Sequence, residues 1–360
     1  HPRGAQVQLQ LARVLLDRDQ PLDAELTLLP LQESGDPAIA AQATAWLADM
    51  LRAHGRLPEA ATCYERLARQ WADVPVRDGQ TGHDVAAAAL ADEPLQRALA
   101  TGTTWPYGKV VASEEARGTF PSYQSMFAID LTDVSGPFPA DASLVFNRQQ
   151  NAVVLRDAFG SPQTQVLVGD ANQVTLPNVN APAGTAAAEG HLVIVSVGSD
   201  VMAIDALRDS TGREDVVLWR QDVSNALVGS GTMQTSANAI ARPWGPPRYV
   251  FSENLRPVGS IGPITPVGFF YQKTQELTCV DPLTGETIWT RSGMEPGCDI
   301  FGDQDYLWVA APDREDALVL RAADGKELGR RFVGSRQDRW ITAGRRVLCC
   351  QLLNEQLVVR

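Results

Sequence analysis

Leu277–Trp289, LTCVDPLTGETIW, is the stretch whose reading decides the fold of this chain. An apolar run, Leu277–Val280, meets an aspartate-led turn, Asp281-Pro282-Leu283-Thr284-Gly285, and a second run, Thr287–Thr290, carries Trp289. The Asp281 carboxylate is placed to accept N–H groups two or more residues on, and Pro282 fixes φ near the value a type I turn wants. Gly285 supplies the positive φ that closes a bulged hairpin. Trp289 then has a large flat ring to bury against a neighbouring sheet. With Gly268–Tyr271 ahead of it, the unit predicts three successive antiparallel strands.

Weaker copies lie on both sides. Upstream, His191–Val223 holds LVIVS and VMAID, then Asp205, a longer turn through Thr211-Gly212, and a last run with Trp219. Downstream, Tyr306–Val333 holds LWVAA, ALVLR and the turn Ala323-Asp324-Gly325-Lys326, with no tryptophan in its last run. A degenerate copy spans Leu144–Val168, turning between Asp157 and Gly160, and another starts at Trp340 and stops before its turn. The copies recur at about 40 residues, the length of a four-stranded propeller blade. Radial packing of such blades protects the strand edges that one long sheet would expose.

The motif Asp281-x-x-Thr284-Gly285-x-x-x-Trp289 resembles the repeat of PQQ-type β-propellers, the quinoprotein alcohol dehydrogenase-like superfamily. The resemblance covers 109–360 and implies about five blades of an incomplete ring, cut at the C-terminal side. Asp205, Thr211, Gly212, Trp219, Asp324 and Gly325 are the matching positions in the neighbouring copies.

The front third reads as helices. Leu47, Met50, Leu51 and His54 share one helical face, Gly55 ends that helix, and Pro58 opens a second one that carries Ala60, Tyr64, Leu67 and Trp71. Leu47, Ala48, Leu51, Gly55, Ala60 and Tyr64 together resemble a tetratricopeptide repeat, with Trp46 displaced from the usual aromatic position. A looser copy runs through Leu11, Ala12, Leu15, Ala24 and Leu28. The plain alternative is a helical hairpin array with no binding groove. A third helical stretch, Asp84–Ala100, restarts at Asp92 before Pro94 and caps the stack. The expected organisation is α+β: helical repeats over 1–100, a linker over 101–108, and the blades over 109–360. Helical repeats leading into such blades are similar to exported or envelope proteins of planctomycete-type bacteria, which implies a periplasmic or cell-envelope setting.

Composition sets bounds. Hydrophobic content of 44% and charged content of 21% are those of a globular protein. A net charge of -12 argues against nucleic acid or an anionic membrane face as partner. No apolar run is long enough to span a bilayer. The chain begins at His1 and stops in a strand-like run, Gln356–Arg360, and so reads as a fragment.

No reactive constellation emerges. The residues His1, His54, His83 and His191 lack metal spacing, and the cysteines lack CxxC spacing. Cys349-Cys350 sits in VLCCQLL, a strand-like run whose neighbouring side chains face opposite ways. A Cys279–Cys298 bridge stays open as an alternative. The quinoprotein resemblance would imply a calcium ion with six to eight oxygen ligands, and no acidic loop here supplies them. The expected cofactor set is therefore none, and the expected function a non-enzymatic scaffold for a protein or peptide partner. The alternatives are a PQQ- and calcium-dependent dehydrogenase or an outer-membrane-assembly-type propeller factor. Arg242, Trp244 and Arg248, set among prolines, form a candidate binding loop.

Overall fold

The computed structural model describes residues 2–77, 79–103, 126–137, 142–156, 162–168, 184–198, 200–208, 210–211, 216–223, 237–242, 245–251, 261–311, 314–333, 339–343, 346–353 and 356–359; for the strands within 237–251 and from 339 onward the description is of the backbone. Helices and antiparallel sheets both occur, and the chain divides into two compact units. The first holds the helices together with two short segments, Ser135–Ala140 and Glu189–Leu192.

In the helical unit α1 (Pro2–Asp17) pairs with α2 (Pro21–Leu28), and α3 (Pro37–Ala53) with α4 (Leu57–Gln70). Asp36 caps α3 by accepting the Ala38 N–H (3.0 Å), and Gly55, at φ +74°, provides the left-handed residue after it. Leu47, Ala48, Leu51, Ala60, Tyr64 and Leu67 are fully buried where the two helices meet. Small residues at 48 and 60 let the backbones approach, and the Tyr64 hydroxyl donates to Asp49 Oδ1 (2.5 Å).

Two local expectations are corrected. Trp71 follows the end of α4 and is half-buried, with the Arg66 guanidinium 5.3 Å from its ring, because the helix stops before the next inward position. Leu11 is 49% exposed, since α1 turns Leu9 and Ala12 inward instead. The third stretch breaks where Asp92 precedes Pro94, into α5 (Gly82–Leu90) and α6 (Glu93–Thr103). A β-hairpin that periodicity did not reveal, β1 (Pro75–Arg77) with β2 (Gln80–Thr81), leads into α5. Thr81 and Asp84 form a full capping box there, and those hydrogen bonds hold the Asp84 carboxyl below its usual range.

The second unit is β-sheet, antiparallel but for one pair of strands. The first four strands are β3 (Met126–Ser135), β4 (Ser143–Asn147), β5 (Ala152–Arg156) and β6 (Pro162–Leu167). The next are β7 (Gly184–Glu189), β8 (Leu192–Val197), β9 (Asp200–Asp205), β10 (Ser210–Thr211) and β11 (Val217–Asp222). These nine strands form one sheet, ordered β10-β6-β5-β4-β3-β7-β8-β9-β11, because β3 and β7 are hydrogen-bonded neighbours. Separate four-stranded blades were expected here. The chain then forms the hairpin β12 (Ala237–Arg242) and β13 (Gly245–Phe251).

Two four-stranded sheets follow in simple meander order. One is β14 (Ile261–Thr265), β15 (Gly268–Lys273), β16 (Glu276–Val280) and β17 (Thr287–Ser292). The other is β18 (Asp299–Gly302), β19 (Tyr306–Ala310), β20 (Asp316–Arg321) and β21 (Glu327–Phe332). Their inner faces share one core, in which Phe270, Leu277 and Cys279 meet Leu307, Leu318 and Leu320. A three-stranded sheet ends the described chain: β22 (Arg339–Ala343), β23 (Arg346–Leu353) and β24 (Gln356–Val359).

Candidate functional site

The turn Asp281–Gly285 closes as its residue types dictate. Asp281 Oδ1 accepts the N–H groups of Leu283 (2.9 Å) and Thr284 (2.8 Å). The Gly285 N–H donates to the Asp281 carbonyl (2.9 Å), with Gly285 at φ +71°. This turn is a seat for the preceding sheet. Trp219 on β11 donates its Nε1 hydrogen to the Pro282 carbonyl (2.9 Å), and Gln221 Nε2 donates to the Gly285 carbonyl (2.7 Å). A Cβ on Gly285 would lie 2.7 Å from Trp219 Cγ, so only glycine lets the indole lie flat on the turn.

The same contact recurs one sheet on. Trp289 on β17 donates to the Ala322 carbonyl (2.9 Å), and Arg291 Nη1 donates to the Gly325 carbonyl (3.3 Å) while Nη2 pairs with Glu327 (2.5 Å). A Cβ on Gly325 would lie 2.7 Å from Trp289 Cε3. The ring also tilts against Phe270 of its own sheet, centroids 5.8 Å apart. Each tryptophan is thus a staple from one sheet to the next turn, and burying most of an indole contributes on the order of 2–3 kcal/mol.

Asp324 does not occupy the place of Asp281. With Gly325 matched to Gly285, Arg321 stands where Asp281 would be and Asp324 where Thr284 would be. The turn survives because its backbone bonds persist: the Gly325 N–H donates to the Arg321 carbonyl (2.9 Å). Arg321 Nε donates to Asp324 Oδ1 (2.8 Å), and this hydrogen bond holds the Asp324 carboxyl below its usual range. Asp205 keeps the aspartate role, accepting the Leu207 N–H (3.0 Å). Thr211 belongs to the short strand β10, which pairs in parallel with β6, and not to a tight hairpin turn. Gly212 and Trp244 lie outside the described residues. Arg242 and Arg248 lie on the β12–β13 hairpin, paired with Gly245 and Ile240 respectively, and the description there is of backbone.

A second cluster has no local sequence signature. Glu25 on α2 is fully buried, and its carboxylate accepts the His191 backbone N–H (3.1 Å) and meets His191 Nδ1 (2.9 Å). Gly190, at φ +56°, brings this turn so close that a Cβ would sit 2.7 Å from the Glu25 carboxyl carbon. The Gly190 N–H in turn donates to the Ser135 carbonyl (2.8 Å). A carboxylate on Nδ1 is the orienting half of a catalytic dyad. Here, however, His191 Nε2 is buried, with no hydrogen-bond partner among the described residues. General-base chemistry needs a nucleophile or substrate within hydrogen-bond reach, and none meets this nitrogen. The pair positions the turn on the helix.

Among the described residues no group of three or more His, Cys, Asp or Glu side chains is placed to hold a metal ion. Cys63, Cys279 and Cys298 are buried thiols, and the Cys279–Cys298 bridge is not formed. Burial pushes the Cys63 and Cys279 thiols up to about 12, with Glu25 and Asp281 adding to the respective effects. Such thiols are not nucleophiles at neutral pH. Cys349 and Cys350 lie on β23, opposite Trp340 and Arg339 in register.

Among solved structures the chain is similar to BamB from Moraxella catarrhalis, at 14% identity and TM-score 0.31, over 59% of this chain and 67% of that one. It is also similar to apo AztD from Citrobacter koseri, at 14% identity and TM-score 0.32, over 56% and 47%. KlHsv2 with loop 6CD replaced by a Gly-Ser linker gives 8% identity and TM-score 0.33, over 59% and 58%. The chain thus spans about half the length of AztD. No protein-family model matches it, and no curated protein does.

Proposed function

We propose that this chain is a non-enzymatic protein-binding scaffold, built from tetratricopeptide-like helix pairs followed by an incomplete PQQ-like propeller. The observation that carries it is the division of labour between buried and exposed groups. Asp205 and Asp281, Trp219 and Trp289, and the Glu25–His191 pair are engaged in structure, while apolar side chains of α1 remain outside at regular spacing. Val7, Leu11 and Val14, four and three positions apart on α1, are 68%, 49% and 43% exposed. Ordered apolar surface of this kind marks protein contact. Among the described residues no helix is long and apolar enough to cross a membrane.

The test compares the full chain with a Val7→Ser/Leu11→Glu/Val14→Ser variant in quantitative affinity purification from a native lysate. Partners enriched by the full chain and lost from the variant support the proposal. The competing reading, a quinone- and calcium-dependent dehydrogenase, is checked by titrating both ligands and following dye reduction with alcohols and sugars. Turnover there, with no enriched partner, would replace the scaffold reading. A cell-envelope setting is part of the proposal and is checked by fractionating cells that express the protein.

A further inference from the structure

We infer that the hairpin β1–β2 is an autoinhibitory strap: it occupies a seat on α3 that fits an extended segment of a partner protein in which a β-branched residue precedes an arginine. The inference deepens the scaffold reading and rests on it.

The seat is built by the helices alone. Gln42, Ala45 and Asp49 stand three and four positions apart, on one face of α3. Tyr64 of α4, fully buried, donates its hydroxyl to Asp49 Oδ1 (2.5 Å), which fixes the carboxylate and leaves Oδ2 for another donor. β1 lies against this helix. Gln42 Nε2 donates to the Val76 carbonyl (3.0 Å), and Arg77 Nη1 donates to Asp49 Oδ2 (2.5 Å). Val76 is the one buried side chain of the two strands, at 3% exposure, and Pro75 and Arg77 on either side of it are exposed. A side-chain amide on a main-chain carbonyl, an apolar residue sunk beside it and a carboxylate on the next guanidinium are the contacts by which a surface grips a separate extended peptide.

Two features make β1 a removable occupant. A bulge between Pro75 and Arg77 leaves Val76 without a partner residue on β2, so its carbonyl is taken by α3 and not by the hairpin. The stem of the hairpin is also tied to itself. The Gly82 N–H donates to the Val74 carbonyl (3.0 Å) and the His83 N–H to the Ala72 carbonyl (3.0 Å). The tip can therefore leave α3 with α4 and α5 intact. It is held down by one buried valine, one hydrogen bond and an ion pair whose side chains are 40% and 38% exposed, a weak kind of contact. Segments held this lightly open locally, ahead of the fold as a whole. The net charge of -12 favours a basic incoming segment over an acidic one. The tether keeps the strap at high effective concentration, so the intact chain admits a competitor poorly.

The probe is a fluorescein-labelled peptide of the strap's own sequence, DVPVR (Asp73–Arg77), followed by anisotropy on the full chain. Val76→Ser/Arg77→Ala should free the seat and raise peptide affinity roughly tenfold or more over the intact chain. In that background Gln42→Ala and Asp49→Asn should each weaken binding several-fold, and a DVPVE peptide should not bind. Asparagine still accepts from Tyr64, so the second change tests the ion pair and not the helix. Equal affinity of the strap variant and the intact chain overturns the inference, and so does binding indifferent to both seat variants. A second measurement leaves the strap in place. Val76→Cys puts a thiol at the buried position, and its alkylation, read by peptide mass spectrometry, is compared with that of the buried Cys63. Position 76 should be modified in native buffer, far ahead of Cys63; modification only in step with Cys63, as urea unfolds the chain, means that the strap does not lift and the inference falls. If partners are still captured through α1 while the strap variant gains no peptide binding, the scaffold reading stands and this inference alone falls.

Discussion

Glu25 and His191 have no solvent to fall back on, so removing either side chain leaves the other's polar atoms stranded in the interior. Breaking such a pair from one side costs about 3–5 kcal/mol. Glu25→Ala and His191→Ala should each lower the urea midpoint by that order, and the double variant should lose clearly less than their sum. Trp289 makes a more modest case because it is half-buried. Trp289→Ala should cost about 2–4 kcal/mol, and Trp289→Phe about 1 kcal/mol for the hydrogen bond to Ala322 alone. The thiols give a pH test. The folded Cys63 and Cys279 thiols titrate near 12 against an ordinary value of 9.0, so the unfolded chain ionises first. Their contribution is whole below pH 9 and falls as pH rises from there towards 12. A thiol reagent at pH 8 should leave both untouched in the native chain and label both in urea. The corner residues were legible because Asp281 and Gly285 act within five positions of one another. The Glu25–His191 pair was not, because its members lie 166 residues apart and no local pattern joins them.

Helices α3 and α4 follow from their apolar period and from Gly55 and Pro58, all readable along the chain, while the Asp36 cap is seen only in the structure. Asp36→Ala should cost about 1 kcal/mol by losing the cap, measured as a lower thermal midpoint. The orientation of α1 was harder to read. It carries two apolar stripes, Leu9 with Ala12 and Val7 with Leu11 and Val14, and periodicity alone does not say which faces the core. The hairpin β1–β2 escaped notice because strands of three and two residues have no measurable alternation. The exchange of Asp281 for Arg321 was hidden for a different reason: the turn is defined by its backbone bonds and its glycine, and either side chain supports it.

At the scale of the molecule, repetition announced the sheets at 261–292 and 299–332, and their strand order follows from short connections. The nine-stranded sheet did not announce itself, since β3 meets β7 across three intervening strands and pairing between non-consecutive strands leaves no spacing to read. The staples also have a direction. Trp219 reaches a carbonyl 63 residues further along the chain, and Trp289 one 33 residues further. During synthesis each indole therefore leaves the ribosome well before its seat exists, and assembly must proceed from the N-terminal side. A ribosome-stalled nascent chain released only as far as residue 310 should show Trp289 emission shifted to the red. Extending the exposed length past Gly325 should move it back to the blue. Until its successor arrives, every such strand presents a greasy ring to the surroundings, which makes the interval of translation between two turns the moment when this protein is most open to chaperones and to misassociation.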